Sequence, residues 1–195
     1  GNRPFTPQYP LWSDGAKKAR FIHLPEGQTI DATTPDAWDF PVGTKLWKEL
    51  SFDGRRIETR YIERAPSGWR FAAYVWNEDN TSATLVTRGA PASANVAPGL
   101  PHQIPSQSDC RVCHGNGPTP VLGFSALQLS TDRDANALHR EEQLALDDAR
   151  APLDLRALYE GGWLRGGNGD LAPRIDARSA TERSVLGYLH ANCGG

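Results

Sequence analysis

The chain has 195 residues, 38% of them apolar, and a formal net charge of -2 from 21 Lys and Arg against 23 Asp and Glu. That length supports one full core or two small ones. No basic excess marks a face for nucleic acid, and no run of eighteen apolar residues is available to span a bilayer, so neither partner is expected.

Residues 20 to 90 carry short segments rich in β-branched and aromatic residues: RFIHL, TKLWKELSF, RIETRYIER, WRFAAYVW and ATLVTR. Turn signals such as Phe52-Asp53-Gly54-Arg55 and Ala65-Pro66-Ser67-Gly68 separate them, which predicts antiparallel β structure. The clearest hairpin is SFDGRRIETRYIE, because Asp53-Gly54 is a pair that a type I′ turn prefers. Strict alternation there puts Ile57, Thr59 and Tyr61 on one face and Glu58, Arg60 and Ile62 on the other. Trp38, Trp47, Trp69 and Trp76 fall in this region and are expected in its core.

From about Ala90 to Ser108 the composition turns to Pro, Ala, Ser and Gln, and reads as a linker or as a wrap around the C-terminal half. Beyond it the periodicity becomes helical. Leu153, Leu155, Leu158 and Tyr159 share a face, as do Val185, Leu186, Leu189 and His190. Ser179 and Glu182 form an expected capping box. The Gly-rich RGGNGD (165–170) precedes no phosphate-binding helix signature and reads as a surface loop.

Between these parts lies Cys110-Arg111-Val112-Cys113-His114. A four-cysteine zinc site lacks its second pair, since Cys193 is the only other cysteine, and a mixed site lacks an H-x(3-5)-H partner. A thioredoxin-like pair expects a strand before it, whereas PGLPHQIPSQS leads in. In a haem c site the thiols, one helical turn apart, form thioethers to the porphyrin, and the adjacent imidazole binds iron. Haem c is the favoured reading, with Cys110 and Cys113 as attachment points and His114 as proximal ligand. The expected fold is α+β: a sandwich-like antiparallel β domain over 1–95, then a small, mostly helical cytochrome c-like domain over 96–195.

The strings YPLWSDGAKKARFIHLP (9–25), WDFPVGTKLWKELSFDGRRIETRYI (38–62), CRVCHG with VLGFSALQL (121–129), and GYLHANCGG together resemble a family of bacterial secreted c-type cytochromes that often carry more than one haem. The resemblance spans nearly the whole chain. It implies that Cys193-Gly194-Gly195 corresponds to the opening of a second C-x-x-C-H, so a second haem belongs to a longer native chain. It also implies export to the periplasm or cell surface, since thioether maturation takes place outside the bacterial inner membrane. Gly1 then fits the end of a processed or trimmed chain whose signal peptide has been removed.

The chain has no Met, and residues 100–195 have no Lys, so the expected sixth iron ligand is a histidine. His139, in the polar loop DANALHREEQ twenty-five residues past His114, has the reach to cross the porphyrin. His190 is the weaker candidate, His102 has a short connection of eight residues to Cys110, and His23 sits in a strand. With a second histidine bound, the chain is expected to pass electrons to or from a redox partner protein. An open iron instead points to a peroxidase-like enzyme or gas sensor. A third reading makes the β part a small-molecule or carbohydrate binder and the haem part its electron acceptor.

Overall fold

The computed structural model describes residues 1–97, 100–115, 117–143 and 151–193, with side chains described except at 91–97, 100 and 141. Its centre is a six-stranded antiparallel sheet. In chain order the strands are β1 (Arg3–Pro4), β2 (Lys17–His23), β4 (Lys45–Phe52), β5 (Arg55–Ala65), β6 (Gly68–Trp76) and β7 (Ala83–Val86), and neighbours in sequence are neighbours in the sheet. The short β3 (Ile30–Asp31) lies outside it and pairs in parallel with β10 (Leu164–Arg165). All five β segments expected from the sequence are strands of the sheet.

Asp53 and Gly54 both have positive φ, 50° and 78°, and Phe52 pairs with Arg55 across them. That is the two-residue turn the sequence announces. The strict alternation beyond it is corrected by a β-bulge, where the register shifts between Leu50 and Ser51. The extra residue lets Ile57 join Ala73 and Ile104 in a small core of its own, instead of sharing a face with Thr59 and Tyr61.

In place of the second layer of a sandwich, the inner face of the sheet carries loops and short elements. The stretch read as a linker forms a ribbon of β8 (Ala90–Ala97) and β9 (Leu100–Ile104) with an irregular antiparallel register. Prolines at 91 and 101 cannot donate to a ladder, which suits a broken register. Helix α1 (Gln107–His114) packs on β6, and Gln107 Nε2 donates to the Phe71 carbonyl at 3.3 Å.

One core draws on both halves of the chain. Phe5, Ile22, Ile30, Trp38, Phe40 and Leu46 are buried with Val121, Phe124, Leu129, Leu153, Leu155 and Leu158. The composition boundary near residue 95 is therefore crossed by the packing. Residues 1–95 expressed alone lack half of this cluster and are expected to give no cooperative thermal melt by circular dichroism. A cooperative β-type melt would restore a domain boundary there.

Two of the four tryptophans are core residues: Trp38 is buried, and Trp69 packs against the same cluster. Trp47 and Trp76 are half-buried on the outer face instead, where with Tyr61 and Tyr74 they line a shallow concavity.

Helix α2 (Leu155–Glu160) buries Leu155 and Leu158 as expected, capped by Asp154, whose side chain accepts from the Ala157 N–H at 2.8 Å. At α3 (Ala180–Cys193) half of the expected capping box forms: Ser179 Oγ accepts from the Glu182 N–H at 3.1 Å, but the Glu182 carboxylate reaches past Ser179 and accepts from the Arg178 N–H at 2.6 Å. Its buried face is a correction, because Arg183, Ser184 and Gly187 face inward while Val185, Leu186 and Leu189 are exposed. Gly187 packs on the ring of Tyr9, where no larger residue fits.

Candidate functional site

Helix α1 starts at a capping box. Ser106 Oγ accepts from the Asp109 N–H, and the Asp109 carboxylate accepts from the Ser106 N–H. The helix fixes the spacing of the three candidate attachment atoms, because Cys110 and His114 are one turn apart on one side and Cys113 lies beside them. All three cysteines of the chain are free thiols; Cys110 is half-buried, Cys113 exposed.

His114 is held in a single orientation. Its Nδ1 lies 2.6 Å from the Pro120 carbonyl, so Nδ1 carries the proton and donates, which leaves the Nε2 lone pair available. Its ring lies against Phe71 of β6, with centroids 5.5 Å apart. Burial lowers the His114 pKa, against the Pro120 hydrogen bond and assisted by the charges of Lys48 and Arg60, so the imidazole is kept neutral. A neutral imidazole with one nitrogen tied to a backbone carbonyl is the usual state of a histidine that binds a metal. Burial also raises the Cys110 pKa, with Glu58 and Asp109 reinforcing and Arg60 opposing, so this thiol is not an activated redox nucleophile.

The sheet beneath α1 has an unusual inner face. Cross-strand pairing aligns Ile22, Leu46, Ile62 and Phe71 in one row, Arg20, Lys48, Arg60 and Ala73 in the next, and Lys18, Leu50, Glu58 and Val75 in a third. Ile22, Leu46 and Ile62 of the apolar row join the core, and the next two rows carry four cations, Lys18 and Arg20 buried and Lys48 and Arg60 half-buried. Lys18 pairs with Glu142, and Arg20 bonds to the Gln143 side-chain oxygen. Arg60 holds Glu58 at 2.6 Å.

Glu58 anchors a second network on this face. With no exposed surface, it accepts from His102 Nε2 at 2.8 Å, while His102 Nδ1 lies 2.7 Å from Asp14 Oδ2. Burial alone pulls the His102 pKa down, yet the hydrogen bonds to Glu58 and Asp14 outweigh it and the value is raised. Burial pushes Glu58 the other way, but its bonds to His102 and the charge of Arg60 leave it lowered. With both ring nitrogens engaged by carboxylates, His102 has no lone pair for iron.

The remaining candidates lie on other elements. His139 caps a 3₁₀ turn (Arg140–Glu142) in the left-handed region at φ 60°, with Nδ1 3.1 Å from Glu142 Oε1 and its ring between Trp12 and Tyr188. Glu142 in turn binds Lys18 on β2. His139 is thus tied to the β2 side of the inner face and His114 to the β6 side, and those two strands are three spacings, about 14 Å, apart in the sheet. His190 is exposed on α3, and Cys193 is exposed at its end; Gly194 and Gly195 lie outside the described residues.

Sequence reasoning missed the cation rows and the Asp14–His102–Glu58 network. Lys18, Arg20, Lys48 and Arg60 alternate with other residues along their strands, the pattern of a solvent face, and only the segments packed above them reverse that. Among the described residues, no group of three or more His, Cys, Asp or Glu is arranged to hold a bare metal ion. No protein-family model, curated protein or solved structure matches the chain.

Proposed function

We propose that the chain is a c-type cytochrome that holds haem c through Cys110 and Cys113, with His114 as proximal iron ligand and His139 as sixth ligand. The observation that carries it is the C-x-x-C-H segment folded as a helix whose histidine is fixed by the Pro120 carbonyl. When bound, the haem supplies one-electron exchange at its iron. The chain's own residues do the positioning. Pro120 sets the His114 tautomer, Phe71 and the sheet limit water on its side, and Glu142 fixes Nδ1 of His139 so that Nε2 is the free nitrogen.

In this reading the helices after residue 95 serve as the haem-carrying part of the shared core, and a protein redox partner and a location outside the cytoplasm belong to the same proposal. A second haem in a longer chain, begun by Cys193, is a further element of it. Haem staining after denaturing electrophoresis tests attachment. The stain is expected in the untreated protein and absent after Cys110→Ser with Cys113→Ser; stain retained without both thiols would sink the assignment.

The sixth ligand has its own test. His139→Ala is expected to convert a low-spin absorption spectrum to high spin, and His190→Ala to leave it unchanged. A parent protein already high spin and binding carbon monoxide readily would favour the open-iron enzyme or sensor over the electron carrier.

A further inference from the structure

Three cations stand side by side across the middle of the inner face. Arg20 pairs directly with Lys48, and Lys48 directly with Arg60, on adjacent strands β2, β4 and β5. Like charges directly opposite each other in a sheet repel, and burying them costs more unless an anion is near. Two of the four inner-face cations have a carboxylate: Lys18 has Glu142 and Arg60 has Glu58. Among the described residues the other two bond none. Arg20 meets the neutral Gln143, and among the described residues Lys48 Nζ reaches only Ser13 Oγ, at 3.5 Å. Burial, together with Arg60, Arg20 and Lys18, holds the Lys48 pKa well below its ordinary value, against the pull of Glu58. Burial likewise brings Arg20 down to about 10, against Glu142. Among the described residues, neither cation has a carboxylate bonded to it.

The place of the row indicates which anion it receives. Lys48 and Arg60 lie on the two strands between β6, which carries the Phe71 contact to His114, and β2, which carries the Lys18 link to His139 through Glu142. Arg60 also acts on Cys110, and both cations act on His114. We infer that the row Arg20–Lys48–Arg60 is a carboxylate-binding site whose occupants are the two propionates of the haem carried by α1. Two neighbouring propionates on one porphyrin edge match the two cations to which no carboxylate of the described residues is bonded, and an ammonium and a guanidinium both donate well to a carboxylate. The inference rests on the haem proposal above.

The test uses the full haem-loaded chain, with resonance Raman spectra of the propionate bending modes and the midpoint potential as readouts. Lys48→Gln is expected to keep the haem stain and the spin state, shift a propionate bending mode, and lower the potential, since losing a positive charge beside the haem favours oxidised iron. Lys48→Arg is expected to return both readouts close to the parent's, which loss of packing alone does not explain. An unchanged bending mode in Lys48→Gln overturns the inference. So does a change of spin state, which makes Lys48 an iron ligand instead. A third arm needs no variant: a saturable response of the parent's potential to inorganic phosphate at constant ionic strength makes the occupant a diffusible anion and overturns the propionate assignment. A parent without haem stain overturns both proposals, and that failure is read on the gel before any spectrum is taken.

Discussion

Gly187→Ala destabilises the protein, although the same exchange at an open helix position gains about 1 kcal/mol in helix propensity. A Cβ at 187 would overlap the Tyr9 ring at Cδ1 and Cε1, and that ring cannot step aside. Tyr9 is buried, its N–H donates to Gln128 Oε1 at 3.0 Å, its hydroxyl bonds Asp134 at 3.2 Å, and Arg183 Nε donates to it at 3.3 Å. Overpacking of this kind costs about 3 kcal/mol. Net of the propensity gain, a loss of about 2 kcal/mol lowers Tm by roughly 4–8 °C in a chain of this size. Thermal unfolding of Gly187→Ala beside the parent measures it, and the sign decides. A rise in Tm would mean that α3 does not seat on Tyr9.

The Asp14–His102–Glu58 network carries the second large effect. Because the folded pKa of His102 is raised, its contribution is fully present below the unfolded value near 6.5 and is lost as pH rises through the folded value. Replacing His102 by Leu removes the Glu58 partner at 2.8 Å and leaves Glu58, with no exposed surface, to Arg60 alone. Breaking a buried pair from one side costs about 3 kcal/mol. Denaturant unfolding from pH 5 to 8 is expected to show this deficit largest at the acid end and narrowing as pH rises. A deficit independent of pH would falsify the charged pairing. His102→Leu combined with Glu58→Gln is expected to recover part of the loss, since the stranded carboxylate is then gone.

The sequence disclosed the elements whose causes are local. Asp53-Gly54 names its turn because both positions need positive φ, and Ser179 with Glu182 names a helix start because their side chains satisfy nearby N–H groups. The C-x-x-C-H segment is equally local: its spacing and its helix are set within eight residues. The Pro120 carbonyl, six residues on, carries no sequence mark of its own.

What sequence could not disclose depends on distant partners. Val185, Leu186 and Leu189 have the right period for a buried stripe, but Tyr9, far along the chain, selects the Gly187 face instead. The prolines at 91 and 101 discourage a strand assignment, yet the irregular register of β8 and β9 tolerates them. His102 has the look of a spare imidazole in the sequence, and only the fold brings Asp14 and Glu58 to either side of it.

The seat of α3 also constrains how the chain can come to be folded. Asn192 accepts from the Trp12 N–H at 2.9 Å and donates to the Pro10 carbonyl, Phe5 is bridged to Leu153, and Gln8 bonds the backbone at residues 127 and 128. Contacts of such long sequence separation close late, after the loop entropy between their ends has been overcome. Trp12 and Pro10 can take these partners only once residue 192 is present, so a chain cut short before Asn192 loses both contacts and is expected to leave the segment around them unanchored.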